Sequence, residues 1–422
     1  MALNKQQWAV FICLYLSYFI MVYIRKSFSY ASPVIMKEEN LEKNQLGLIL
    51  SSQMIGYSIS QFFGGVLVDS LNPKMMLSAS LFLTGITAFI FTMFDSVSMF
   101  SFLWFLNGLS QGPGWPSCAL ILKRWFPADQ FGTWWSAMSS SINLAGTVGP
   151  ITTTSVIALL GWRKIFSLTG CISMGISVYI IINLSDKPKS KSTGNADERK
   201  EKDKTNVTKD NKMYKLFELM KQPVFVGVCL SYLLINLIRG ACTYWGQLYL
   251  IQDKEQSVFQ GSVFTSSQEA GGLIGALSAG YISDYLLSKG KRNYNPRLRV
   301  ALWCICLPVI SIYLLIYFVT TLSYGIVISV VGCGIGFGVS GAIALFGVTA
   351  MESAPEGLEA TAHSIAAFSA NVGMVLSGYP LSLIANAYGW HAAFKLVLFI
   401  TVFPVFIIYF CQRSVVKEKK ST

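Results

Sequence analysis

The sequence predicts an all-α polytopic membrane protein with twelve transmembrane helices in two pseudo-symmetric six-helix bundles, and three observations carry that prediction. First, 53% of the 422 residues are hydrophobic, 14% aromatic and only 13% charged, a balance far from that of water-soluble domains. Second, apolar runs of about 20 residues, the length that crosses a bilayer core, recur on either side of one charged stretch. Third, the chain repeats itself. Ser51, Ser52, Gln53, Gly56, Gly65 and Asp69 return as Ser266, Ser267, Gln268, Gly271, Gly280 and Asp284, all at one constant offset. Pro127, Asn143, Gly161, Trp162 and Phe166 return as Pro355, Asn371, Gly389, Trp390 and Phe394, all at a second, slightly larger offset. Duplicated halves are a common plan for transporters.

Taken in order, the helices fall near 8–35, 46–69, 75–94, 97–123, 131–159 and 163–184, then near 223–252, 258–287, 298–320, 324–351, 358–387 and 391–411. This gives a first bundle over 1–184, a linking loop over 185–222, a second bundle over 223–412 and a tail over 413–422. The loop, SDKPKSKSTGNADERKEKDKTNVTKDNK, is rich in charge and poor in aromatics, and reads as disordered. Placing both termini and this loop on one side gathers about 24 of the 33 Lys and Arg there, against about 5 in the opposite loops, which makes that side cytoplasmic. Topology thus accounts for most of the formal +12, and nucleic-acid binding is disfavoured because the basic residues flank helices and form no folded patch. The nine Cys lie almost entirely in apolar runs without metal-ligand spacing, so neither a disulfide framework nor a zinc site is expected. No cleavable signal peptide stands out, and no cofactor is expected.

The first helix poses a problem of charge. Its apolar run WAVFICLYLSYFI leads into MVYIRKSFSY, and a cation in mid-bilayer costs roughly 2.5–3.5 kcal/mol even on insertion scales, so Arg25 and Lys26 are expected to face a water-filled cavity on a substrate path. The repeat supplies a partner. Arg25 precedes Ser51 by the same interval, to within one position, as Arg239, in LLINLIRGACTYWGQ, precedes Ser266. The two arginines are therefore expected as mates on the first helix of each half, near the bundle axis and at similar depth. Guanidiniums match phosphate oxygens bidentately and cannot shed a proton to escape burial, so a dianionic phosphate fits them. Without it the site would hold two uncompensated cations, whose occlusion is penalised, and the loaded carrier is expected to reorient more readily than the empty one.

The other candidates each carry a binding and a packing reading. Ser136, Ser140, Asn143 and Thr147 follow i, i+4, i+7 and i+11 on the fifth helix, a polar stripe for substrate or for helix-to-helix hydrogen bonds. Asn143 is favoured because Asn371 repeats it. His363, two turns before Asn371, either donates to substrate or is a satisfied core residue. Tyr18, seven positions before Arg25 on the same face, stacks on a sugar, bonds phosphate or faces lipid. Gln53 and Gln268 suit hydroxyls or a structural role. Lys26, about 100° round the helix from Arg25, extends the positive charge or pairs with a carboxylate. Glu269 is the main deep carboxylate, and one such residue is weak support for proton coupling.

GVLVD and GYISD show the Gly-x-x-x-Asp that ends the second helix of each half in the major facilitator superfamily. The reading for Gly65, Asp69, Gly280 and Asp284 is gating and packing, with Gly allowing close helix approach and Asp tying a helix end. The stretch FLWFLNGLSQGPGWPSCALILKRWFPADQFGTWWSAMSSSINLAGTVGP, with YIRKSFSY, YWGQLYLIQ, IALFGV and ESAPEGLEATAHSIAAFSANVG, resembles the organophosphate:phosphate antiporter family of that superfamily. The match covers nearly the whole chain except the charged loop. It implies a phosphate held between the first and seventh helices, hence by Arg25 and Arg239, with Trp115 and Tyr244 as further candidates. It implies exchange of glucose-6-phosphate for inorganic phosphate by alternating access in the endoplasmic reticulum membrane, supplying a lumenal glucose-6-phosphatase, with membrane lipid as the surrounding partner. One departure stands at Arg239, where the resembling pattern carries Lys, which keeps the charge and loses the fork.

Three alternatives stay open: a carrier of another phosphate ester or of phosphate alone, a membrane sensor with the same site, and an enzyme. The last has least support, with no nucleophile–base constellation, metal-ligand spacing or P-loop in the sequence. The chain ends VVKEKKST, and Lys419 and Lys420 resemble a dilysine retrieval signal of endoplasmic reticulum membrane proteins, or are an ordinary basic tail. The sequons at Asn183 and Asn206 fall at or in the loop expected to be cytoplasmic and should be unused.

Overall fold

The computed structural model describes residues 5–126, 131–185, 215, 217–289, 294–355 and 358–421, with the backbone alone at 62, 65–67, 69–70, 131–133, 135–136, 359–360 and 414–421. Most of the expected loop at 185–222 and the side chains of Asp69, Ser136, Lys419 and Lys420 lie outside the described residues, and Gly65 is described by its backbone alone. The helices are α1 (Lys5–Glu38), α2 (Lys43–Ser70), α3 (Pro73–Phe91), α4 (Val97–Gln111), α5 (Gly114–Trp125), α6 (Phe131–Leu160), α7 (Trp162–Asn183), α8 (Pro223–Gln252), α9 (Val258–Ser288), α10 (Pro296–Tyr317), α11 (Gly325–Glu352), α12 (Glu359–Leu376) and α13 (Tyr379–Ser421). The start of the third crossing in each half uses one device. Asn72 accepts from the N–H groups of Lys74 and Met75 ahead of Pro73, and Asn295 accepts from those of Arg297 and Leu298 ahead of Pro296. A capping Asn followed by Pro at the first helical position satisfies the orphan donors and costs no hydrogen bond.

Eight stretches among the described residues are long and apolar enough to cross a bilayer unaided. Two crossings expected as single helices are broken. The fourth divides into α4 and α5 at Gly112–Pro113, where proline lacks the N–H that an unbroken helix needs. The eleventh divides at Ser377–Gly378 and continues into α13, which also contains the twelfth crossing beyond Gly389. Gly389 has φ +82°, and its mate Gly161, between α6 and α7, has the same φ. A side chain there would be strained by about 1–2 kcal/mol, so the repeated glycine marks a repeated turn.

Close backbone contact builds each half. A Cβ at Gly108 of α4 would lie 2.1 Å from the Gln53 carbonyl oxygen of α2, and one at Gly336 of α11 would lie 1.7 Å from that of Gln268 on α9. Gly56 faces the Phe105 carbonyl and Gly271 that of Cys333, each at 2.3 Å from the added carbon. In both cases the second contact is the first carried forward by the two offsets of the repeat. Small residues let membrane helices approach until dispersion between backbones replaces the missing hydrophobic drive.

Between halves, α2 meets α12 and α13, α6 meets α9, and α1 crosses α8. On the face carrying the α1–α2 turn, Lys43 Nζ donates to the Ala385 carbonyl at 3.1 Å, and Ser51 Oγ donates to the Val375 carbonyl at 3.0 Å. Thr154 and Ser262 share a hydrogen bond of 2.6 Å. Their mates, Ser382 and Gly47, also touch, a Cβ at Gly47 lying 2.1 Å from Ser382 Oγ. The halves are therefore joined near that face by equivalent contacts.

Candidate substrate site

Midway along α1, the Arg25 guanidinium lies 4.6 Å over the ring of Tyr57 on α2, a cation–π arrangement that strengthens as water is excluded. Tyr18 and Tyr244 are its electrostatic neighbours, and Tyr18 packs on Trp115 with ring centroids 4.8 Å apart. Three tyrosines thus gather around one guanidinium fork, with Trp115 packed on Tyr18.

Lys26 points elsewhere, as the helical turn requires. Its Nζ donates to Glu269 Oε1 of α9 at 2.5 Å, while the Arg239 guanidinium reaches Glu269 Oε2 at 3.7 Å. The carboxylate is 4% exposed. Room for it comes from Gly146 on α6, where a Cβ would lie 2.6 Å from Glu269 Cδ. This corrects the expectation of an empty site with two uncompensated cations: Glu269 serves both Arg239 and Lys26, and among the described residues no carboxylate ion-pairs with Arg25. Three cations against one carboxylate leave two positive charges, the complement of a phosphate dianion. Burial of such charge is tolerable only while it is paired.

One turn beyond the arginines, α1 crosses α8. Ser29 Oγ donates to the Thr243 carbonyl at 3.0 Å, and Gln268 Nε2 donates to Thr243 Oγ1 at 3.1 Å. Gln53 and Gln268 are each 3% exposed. Asn371 Nδ2 donates to Gln61 Oε1 of α2 at 2.8 Å, joining the two halves, while Asn143 is half-buried on α6. Within the serine stripe, Ser140 bonds the Tyr15 hydroxyl of α1 at 3.2 Å, which is the packing reading. His363 is exposed, its Nδ1 lying 3.4 Å from the Gly347 carbonyl, and the contacts of the arginine cluster do not include it.

At the gating motif the two residues part company. Asp284 pairs with Arg297 of α10 at 3.1 Å, and Arg297 also holds Glu352 of α11 at 2.7 Å. Gly280 does not support close approach: a Cβ there would meet nothing within 4 Å. The sequence reading missed Tyr57, Ser29 and Thr243. Tyr57 stands one turn after Gln53 and breaks the repeat, its mate being Gly272. That departure was the available signal.

Residues 14–378 match the Major Facilitator Superfamily profile. The chain is 31% identical over 421 residues to a probable hexose phosphate transport protein of Chlamydia trachomatis serovar D, covering 92% of this chain and 87% of that protein. It is 26% identical over 396 residues to the membrane sensor protein UhpC of Escherichia coli K12, covering 92% and 88%. A crystal structure of a bacterial homologue of the lysosomal transporter Spinster, inward-facing and occupied, superposes with a TM-score of 0.79 at 11% identity over 97% of both chains. Duplicated six-helix halves and the profile match together establish that the chain belongs to the Major Facilitator Superfamily.

Proposed function

We propose that the protein is an antiporter that carries glucose-6-phosphate from the cytosol into the endoplasmic reticulum lumen in exchange for inorganic phosphate, and so supplies a lumenal glucose-6-phosphatase. The observation that carries this reading is the two-positive cluster of Arg25, Lys26, Arg239 and Glu269 between the halves, beside the aromatic group of Tyr18, Tyr57, Trp115 and Tyr244. A phosphate group fits the charge, and a sugar fits the rings. The hexose phosphate carriage named for the chlamydial relative supports the substrate class, and what the resemblance to the organophosphate:phosphate antiporter family implies supports the ester and the membrane.

The site's chemistry favours exchange. With nothing bound, the ion pair of Lys26 with Glu269 ties α1 of one half to α9 of the other, and among the described residues Arg25 has the tyrosines around it and no carboxylate ion pair to offset its charge. Phosphate oxygens that take Arg25 and Arg239 replace water with charge-assisted hydrogen bonds, so the loaded site can close where the empty one resists. Full-length protein in liposomes should take up labelled glucose-6-phosphate strongly when phosphate is inside and scarcely when it is not. Equal uptake into phosphate-free vesicles rejects exchange. Loss of intracellular retention on replacing Lys419 and Lys420 would support the tail as the localisation signal, and unchanged retention would remove that argument.

A second reading, a non-transporting sensor of sugar phosphate, is favoured by the likeness to UhpC. It predicts ligand binding without counterflow in the same vesicles.

A further inference from the structure

Two buried amide atoms, on the helices that carry Tyr57 and Glu269, have no partner among the described residues. Gln53 on α2 and Gln268 on α9 are repeat mates, each 3% exposed. Among the described residues, Gln53 Nε2, a donor, and Gln268 Oε1, an acceptor, have no hydrogen-bond partner. Their neighbours Ser29 and Thr243 are also mates, separated along the chain by the same interval as the two arginines. Twofold symmetry would give each glutamine one hydroxyl of this layer. Instead Gln268 Nε2 takes Thr243 Oγ1, while Ser29 Oγ turns to the Thr243 and Tyr244 carbonyls at 3.0 and 3.4 Å. Ser29 thus spends its one O–H on the crossing of α1 with α8, and the pairing seen between Gln268 and Thr243 has no counterpart at Gln53.

Gln53 lies one turn before Tyr57 on the same helix face, and Tyr57 underlies Arg25. The glutamine layer therefore sits about one helical turn, roughly 5.4 Å, from the arginine level. That is the scale of a sugar ring attached to a phosphate held by the arginines. A buried donor and a buried acceptor are costly to leave unpaired, and a hydroxyl, which donates and accepts, can satisfy both.

We infer that Gln53 and Gln268 form a hydroxyl subsite for the sugar portion of the ester, Gln53 Nε2 donating to a substrate hydroxyl that donates to Gln268 Oε1. This inference rests on the phosphate-ester reading and adds its specificity: polyol phosphates are told from inorganic phosphate in this layer, while the arginines serve both. Sites built to hydrogen-bond a hydroxyl discriminate strongly against ligands that lack it, because the amides are then left unpaired.

The test uses full-length protein in phosphate-loaded liposomes, with labelled inorganic phosphate and labelled glucose-6-phosphate offered separately to wild type, Gln53→Met and Gln268→Met. The ratio of ester uptake to phosphate exchange should fall by about ten- to a hundredfold in Gln53→Met, with the thermal midpoint equal to or above that of wild type, since an orphan amide has been replaced by an apolar group of similar length. Gln268→Met should lower the same ratio. An unchanged ratio in Gln53→Met, or equal loss of both activities with a lowered thermal midpoint, overturns the subsite and leaves the glutamines as packing residues. Wild type that exchanges neither ligand rejects the parent function itself, an outcome visible before any variant is compared.

Discussion

The contacts of α2 with α4 and the charged layer beside α1 treat the molecular twofold in opposite ways. The first has a faithful copy in α9 with α11, down to Gly108 and Gly336 against the carbonyls of Gln53 and Gln268. The second has none. Where Lys26, Glu269 and Gly146 meet, the equivalent positions hold Gly240, Met54 and Met374; a Cβ at Gly240 would lie 3.2 Å from Met374 Sδ, and Met54 is buried. Duplication thus preserves the frame and the two arginines and abandons the copy at the Lys26–Glu269 pair. A sugar phosphate has no twofold symmetry, so a site that holds it in one orientation gains from unlike walls.

The largest effect should come at the symmetric cations. Arg25→Ala is expected to abolish counterflow, and Arg25→Lys, which keeps the charge but not the fork, to lower it by about ten- to a hundredfold, the worth of one charge-assisted hydrogen bond at roughly 1.5–3 kcal/mol. Arg239→Lys should be milder. Arg25→Ala that inserts and transports near the wild-type rate would falsify the site.

Next comes the asymmetric wall. Glu269→Gln leaves the part-buried Lys26 and Arg239 without their carboxylate and should destabilise the protein by up to about 3 kcal/mol, read as a lowered thermal midpoint in detergent that added phosphate partly restores. Removing both charges, in Lys26→Met with Glu269→Met, should recover most of that loss. Recovery would show that the pair is kept for function; a Glu269→Gln protein as stable as wild type would mean the ion pair contributes nothing.

Smaller effects should appear in the shared frame. Gly336→Ala and Gly108→Ala overpack a helix crossing and should each cost about 1–3 kcal/mol, whereas Gly280→Ala, in open space, should leave the thermal midpoint unmoved. Gly161→Ala and Gly389→Ala should cost about 1–2 kcal/mol each through backbone strain alone, and by nearly equal amounts if the turns are equivalent. Unequal costs would show that the two turns carry different loads.

The frame was legible in the sequence because a constant offset between repeated residues is a one-dimensional fact, and helix length follows from bilayer thickness. Arg25 and Arg239 were legible for the same reason, each located by its distance from a repeated serine. The Lys26–Glu269 pair was not, since its members stand far apart in the chain, in opposite halves, and neither has a charged mate to announce it. The breaks at Gly112–Pro113 and Ser377–Gly378 escaped for a different reason. Each falls inside an apolar run long enough to cross the membrane unbroken, and they fall in different crossings of the two halves, so the repeat gives no warning of either.

The glycine-seated crossings have a mechanical consequence. With α2 pressed on α4 and α9 on α11 at backbone distance, these two helix pairs have little slack to absorb a bend. A tilt of one half against the other would be taken up where the halves meet, and the crossing of α1 with α8 through Ser29 and Thr243 is one of those places. Two small hydroxyl residues there would serve as a bearing: they would present little surface to such a swing, and their hydrogen bonds could be exchanged one for another.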